Sequence, residues 1–179
     1  MARVRREAEP EVRTGTITRF AVRSGRPDRT VIYLDDRRAL DVATAVVSEA
    51  ALHTGKWLEE EDCAVLLAAD EPHRARERAL RLLGVRDRTV AEIRSRLTGA
   101  GFTSPVVEST VAYLLDLRYL DDERFATRYV AEKGRNGWGD RRLRSELMRK
   151  GVDKRVIEAA LAALEEDEEA GNQAGQDRK

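Results

Sequence analysis

The 179-residue chain has one cysteine, Cys63, and two histidines, His53 and His73. A single cysteine excludes an internal disulfide and points to a reducing, cytoplasmic compartment. Two histidines far apart in sequence do not make a zinc site of the ordinary Cys/His kind, so no metal is expected and both are read as structural side chains. No apolar run approaches the ~18 residues of a membrane span. The basic start, MARVRREAEP, has no apolar stretch behind it and is not read as a secretory signal. There is no GxxxxGK[ST] loop, no GxGxxG after a strand and no serine or cysteine in a nucleophile motif. The expectation is a protein that is not an enzyme and carries no cofactor. Asp121, Asp122 and Glu123 are acidic enough to hold a divalent ion. They immediately precede the Phe125/Tyr129 stripe, and a helix cap is the better reading.

What the chain does have is charge. Charged residues make up 37% of it, against ~25% for an ordinary domain. The formal net charge is zero, but the signs come in blocks. Residues 1–30 carry +4, 31–75 carry −6, 76–155 carry +7 and 156–179 carry −5. Alternating blocks indicate surfaces with different partners, or simply solvated faces.

Residues 1–11 read as a disordered basic tail. Thr14 to Arg23 alternate polar and apolar residues, as a strand does. Ser24 to Asp28 make a turn, Thr30 to Leu34 a second strand and Ala39 to Val42 a third. Residues 42–51 are apolar enough for a helix, and Trp57 to Ala69 read as another. Asp70 then caps a new helix, with Pro72 near its first position. From there on the pattern is helical. Thr89 to Glu92 form a capping box, Ser104-Pro105 open the next helix, and Asp121 or Asp122 caps the one after. Arg141 to Lys150 form a helix stopped by Gly151. Asp153 caps the last helix, which runs to about Glu168 before a polar tail.

The helical part repeats itself at an offset of 50 residues. Eight of the 22 positions from 93 to 114 are identical to those from 143 to 164. Ile93 lies over Leu143, Leu97 over Leu147, Gly101 over Gly151 and Glu108 over Glu158. Chance likeness between amphipathic helices does not readily keep the glycine in register. The expected fold is therefore α+β: a small antiparallel β-containing N-terminal domain followed by an all-α region of two tandem three-helix repeats. The boundaries are residues 1–11 for the tail, 12–70 for the sheet domain, 72–118 and 121–168 for the repeats, and 169–179 for the C-terminal tail. Helix, glycine turn, helix is also the outline of a helix-turn-helix.

The Arg141–Lys150 helix places Leu143 and Leu147 on one side. Arg141, Arg142, Arg144 and Arg149 spread over the other. Arg135 precedes this surface, and Lys150, Lys154 and Arg155 continue it. From 128 to 155 there are 10 basic and 4 acidic residues. Such a face suits nucleic-acid phosphates or an acidic protein surface. Trp138, in a glycine-flanked loop beside it, either stacks on a base or plugs the gap between helices.

At these residues the chain resembles the RecX family, bacterial regulators of the RecA recombinase. The matching stretches are ERALRLLGVRDRTVAEIRSRL (Glu77 to Leu97), YLDDERFATRYV (Tyr119 to Val130) and WGDRRLRSELMRKGVDKRVIEAAL (Trp138 to Leu161). The family motif falls on Leu120, Asp121, Asp122, Phe125, Ala126, Tyr129, Gly139 and Gly151. The resemblance implies tandem three-helix repeats that bind the groove of the RecA filament and inhibit strand exchange and co-protease activity. Two features depart from the family pattern. The residues after the second repeat, Glu165 to Lys179, are too few for the family's usual third. The β-containing front end also lies outside the core pattern. The implied partners are the RecA filament and single- or double-stranded DNA, met by a monomer without membrane association. The alternative is a helix-turn-helix regulator acting directly on DNA.

Overall fold

The computed structural model describes residues 14–176, with side chains described through residue 166. The expected basic tail, residues 1–11, lies outside the described residues. The chain divides into two compact units between Arg74 and Ala75.

The first unit is an antiparallel sheet of β1 (Gly15–Arg23), β2 (Arg26–Leu34), β3 (Arg37–Ala43) and the two-residue β4 (Trp57–Leu58), in the order β3-β2-β1-β4. Asp35 and Asp36, at φ 46° and 62°, turn β2 into β3. Both central residues left-handed is the turn whose twist matches a hairpin, and aspartate tolerates it better than most. One face of the sheet carries Ile17, Ile32, Leu34, Leu40 and Val42. They are covered by Val46 of α1 (Thr44–Glu49) and by Cys63 and Leu66 of α2 (Glu60–Leu83). Cys63 is a fully buried thiol in this core. His53 is exposed and His73 half-buried.

Two expectations fail here. Trp57 does not begin a helix; it pairs with Thr16 in β4. Nor does Asp70 begin one, because α2 runs unbroken through Pro72. Pro72 removes the donor that would serve the carbonyl of Ala68, an exposed residue where water can take its place. Asp70 is fully buried, and its carboxylate is used elsewhere. It accepts from Arg29 Nη1 at 2.8 Å and from the Ala43 N–H at 2.7 Å. A buried carboxylate needs both a counter-charge and hydrogen bonds. Arg29 supplies the first and also donates to Asp41 at 3.0 Å.

The second unit comprises the C-terminal part of α2 with α3 (Val90–Thr98) and α4 (Ser104–Asp116), then α5 (Asp122–Arg135), α6 (Asp140–Arg149) and α7 (Lys154–Gln176). Each set of three helices has its own core. Ala79, Ile93, Leu97, Val107, Val111 and Leu114 form the first. Ala126, Val130, Leu143, Leu147, Ile157 and Leu161 form the second. The pairs Ile93/Leu143, Leu97/Leu147, Val107/Ile157 and Val111/Leu161 are all buried, so the 50-residue repeat of the sequence is a repeat of packing. Helix α7 continues to Gln176, past the Glu168 where the sequence pattern ends it. The added stretch has no proline, and most of its residues favour helix.

Candidate functional site

Helix α3 of the first repeat and the C-terminal end of α6 of the second face each other across a cleft of about 560 Å³. It is lined by Arg78 on α2, Arg86 and Arg88 in the loop after it, Arg96 on α3, and Arg149 and Lys150 at the end of α6. Glu92 is the one carboxylate in the lining. Six cations around one anion give this concave surface a positive field.

The detailed pairing shows which charge is spent internally. Glu92 accepts from Arg86 Nη1 at 3.0 Å and from Lys150 Nζ at 3.1 Å. Burial opposes its ionisation, yet these two cations hold its carboxyl below the ordinary glutamate range. Arg149 is paired with Glu146 on its own helix. Arg78 and Arg96 have no carboxylate partner among the described residues. Arg88 donates Nε to the Leu82 carbonyl at 3.2 Å, leaving the rest of its guanidinium for the cleft. Burial first, and then the like charges of Arg86 and Arg96, lower its pKa from the ordinary guanidinium value.

The junction of the repeats is built by backbone and cap contacts. Thr89 caps α3, accepting from the Glu92 N–H at 3.1 Å, and donates its hydroxyl to the Lys150 carbonyl at 2.7 Å. The expected capping box is thus half-formed, because the Glu92 side chain goes to Arg86 and Lys150 instead of back to Thr89. Gly151, at φ 77°, lies so close to α3 that a Cβ on it would sit 2.3 Å from the Ala91 Cβ.

The family-motif residues explain themselves by position. Leu120 is buried in the first repeat's core. Asp121 caps α5, accepting from the Arg124 N–H at 2.8 Å. Asp122 reaches across to the first repeat and accepts from the Val90 N–H at 2.9 Å. Its carboxyl is raised above the ordinary aspartate value, chiefly by burial. Among the described residues no acidic or Cys/His cluster fits a metal ion. Ala126 is buried, and half-buried Phe125 and Tyr129 stack with centroids 5.9 Å apart against the second core. Gly139 is the N-cap of α6.

The basic side chains of α6 lie on its polar side, opposite the buried Leu143 and Leu147. Its arginines diverge because they find different partners. Arg144 makes a two-pronged pair with Glu158 of α7, at 2.8 and 2.9 Å, and so clamps two helices. Arg142 lies 3.6 Å over the Trp138 ring, and Arg141 and Arg142 line a separate shallow surface with Ser145 and Glu146. Arg149 and Lys150 alone turn into the cleft. Arg135 binds its own helix at the Ala131 carbonyl, and Lys154 and Arg155 are exposed on α7. Trp138 is half-buried against the second core, edge-on to Tyr129 at 6.4 Å. Of the two roles expected for Trp138, this contact with the second core fits the plug between helices. Sequence reasoning missed Arg78, Arg86, Arg88 and Arg96. The signal was present: seven arginines against three acids between 76 and 96. It is spread over a helix, a loop and another helix, so no single helical face displays it.

Comparison with known proteins agrees with this architecture. The model of the RecX first three-helix domain matches residues 75–114, and that of the second matches residues 121–161. The regulatory protein RecX of Serratia proteamaculans is 38% identical over 112 residues, and the alignment spans 67% of that protein. The Bacillus subtilis regulatory protein RecX is 33% identical over 149 residues, which is 83% of this chain and 56% of its own. The chain therefore spans between about half and two thirds of these relatives' lengths. A crystal structure of a regulatory protein RecX superposes with a TM-score of 0.69 at 28% identity, over 83% of this chain and 73% of that one. That coverage takes in sheet as well as repeats. Both three-helix repeats, their order along the chain and the sheet before them thus have counterparts in one set of relatives, and the chain belongs to the RecX family.

Proposed function

We propose that this protein is a non-enzymatic regulator that binds the nucleoprotein filament of a RecA-type recombinase and restrains its recombinase and co-protease activities. The observation that carries the reading is the cleft between the repeats, where six cations surround one carboxylate. A recombinase filament offers both DNA phosphates and acidic protein surface, and a concave cationic site suits a polyanion of that kind. The contacts fall to Arg78, Arg88 and Arg96, with Arg86 and Lys150 holding Glu92 in place. Arg141 and Arg142 form a second, outlying contact. The protein works as a monomer in the cytoplasm.

The test is co-sedimentation of the full chain with recombinase filaments assembled on single-stranded DNA. Arg88→Glu with Arg96→Glu should abolish co-sedimentation and inhibition while the melt stays close to wild type. Binding of the wild type should weaken steeply with salt. Arg144→Glu, which breaks a clamp outside the cleft, should change filament binding far less. Wild-type affinity in the Arg88/Arg96 variant would overturn the assignment. Base-specific footprints on duplex DNA without recombinase would favour a direct helix-turn-helix regulator instead.

A further inference from the structure

In the first unit, the face of the sheet opposite the core is buried at Arg29 and Val31 but exposed at Arg19, Arg38 and Trp57. Cross-strand partners in an antiparallel ladder share a face. The pairs Gly15/Leu58, Ile17/Leu34 and Phe20/Ile32/Leu40 point into the core. The intervening pairs Thr16/Trp57, Arg19/Tyr33, Tyr33/Arg38 and Ala21/Val31/Asp41 therefore lie on the opposite face. Read across the strands from β3 to β4, that face presents Arg38 with Asp41, then Tyr33, then Arg19, then Trp57.

Its chemistry is specific. Trp57 is 56% exposed, an unusual position for so large an aromatic ring. The Arg19 guanidinium lies 3.5 Å over the Tyr33 ring, and it has no carboxylate partner among the described residues. Asp41 on this face accepts from Arg23, Arg29 and Arg38. Exposed aromatic and guanidinium planes are what a flexible polyanion with flat bases requires. Trp57 and Tyr33 are two strand spacings apart laterally, about 10 Å, and their β1 partners Thr16 and Arg19 are three residues apart along the strand, so the separation is about 14 Å. Roughly four stacked nucleotides of one strand cover that distance.

We propose that this face binds an unpaired nucleic-acid strand. Bases stack on Trp57 and on the Arg19–Tyr33 pair, and phosphates lie against the exposed Arg19 and Arg38. A duplex hides its base faces, and an acidic peptide would leave the rings without a role. The proposal is independent of the cleft and stands or falls apart from it.

The experiment uses the full chain without recombinase, carrying Arg88→Glu and Arg96→Glu so that the cleft contributes nothing. Binding of a fluorescein-labelled oligothymidylate of roughly 15 nucleotides is followed by anisotropy. The expected result is measurable binding that persists at moderate salt, is stronger than for the matching duplex, and falls roughly tenfold with Trp57→Ala and again with Arg19→Ala. Both side chains are exposed, so the melts of these variants should match the parent's. Three results would overturn the proposal: no binding by the cleft-reversed parent, unchanged affinity in both variants, or equal affinity for duplex and single strand. Displacement of the oligonucleotide by polyglutamate at equal charge concentration would also overturn it, and would assign the face to an acidic protein.

Discussion

The two repeats of the helical unit are close copies that are used differently. Arg94 grips Glu108 at 2.6 and 2.8 Å, and 50 residues later Arg144 grips Glu158 at 2.8 and 2.9 Å. Gly101 and Gly151 end the middle helices at φ 89° and 77°. The surroundings of these glycines differ. A Cβ on Gly101 would meet nothing within 4 Å, whereas on Gly151 it would collide with Ala91. Arg96 faces the cleft, while its counterpart Glu146 holds Arg149. Local devices that shape a repeat are copied. Contacts that join one repeat to the other are not, because each repeat meets its neighbour with a different side.

The copied cores give the largest expected effect. Leu97→Ala and Leu147→Ala should each cost about 2–5 kcal/mol in denaturant unfolding, since both side chains are fully buried. If one were silent, the equivalence of the two cores would be broken. The glycines test the difference. Gly101→Ala should cost about 1–2 kcal/mol for left-handed backbone alone. Gly151→Ala adds overpacking of about 1–3 kcal/mol. Ala91→Gly in the Gly151→Ala background should recover the overpacking part, and a failure to do so would mean that the repeats do not meet there.

Smaller effects concern the caps and ions. Asp122→Ala, which frees the Val90 N–H, should cost about 1 kcal/mol, as loss of an N-terminal cap does. Asp122 and Glu92 should act oppositely in acid. With the Asp122 carboxyl raised, the folded state takes up its proton first, so its contribution to stability improves as pH falls through that folded value. Glu92 is held low, so the stability of its ion pairs is complete above the ordinary glutamate value and lost as pH falls below it. Thermal melts of Glu92→Gln should be lower than wild type at neutral pH and flatter below pH 4.5, the ordinary glutamate value. A parallel acid limb would show that Glu92 is not the titrating group. The smallest effect is expected from Arg94→Ala and Arg144→Ala. Both clamps lie at the surface, so the two melts should shift slightly, equally and only at low salt.

The resemblance and the 50-residue register were legible in the residues themselves. So was the burial of Leu97, Leu147, Ile93 and Leu143, because helical spacing alone assigns an inner face. The fate of each cation was not legible. Arg141, Arg142, Arg144 and Arg149 lie on the polar side of one helix, yet a helical wheel carries no information on what stands opposite each of them. Glu158, Trp138 and Glu146 take up three of these four, and the cleft takes its charge mainly from the other repeat.

Sequence by itself determined the elements that depend on neighbours along the chain. These are the Asp35-Asp36 hairpin turn, the Thr89 and Asp121 caps, the left-handed glycines and the repeated apolar stripes. Their hydrogen bonds and steric limits close within a few residues, so the residue types suffice. Only the tertiary structure decided that Asp70 would be a buried counter-ion inside one long helix and not a cap. It alone made Asp122 cap a helix of the other repeat, and it alone gathered Arg78, Arg88 and Arg96 around the end of α6. The reason is the same in each case. A long polar side chain takes the partner that burial and charge make most favourable, and that partner lies far away in sequence.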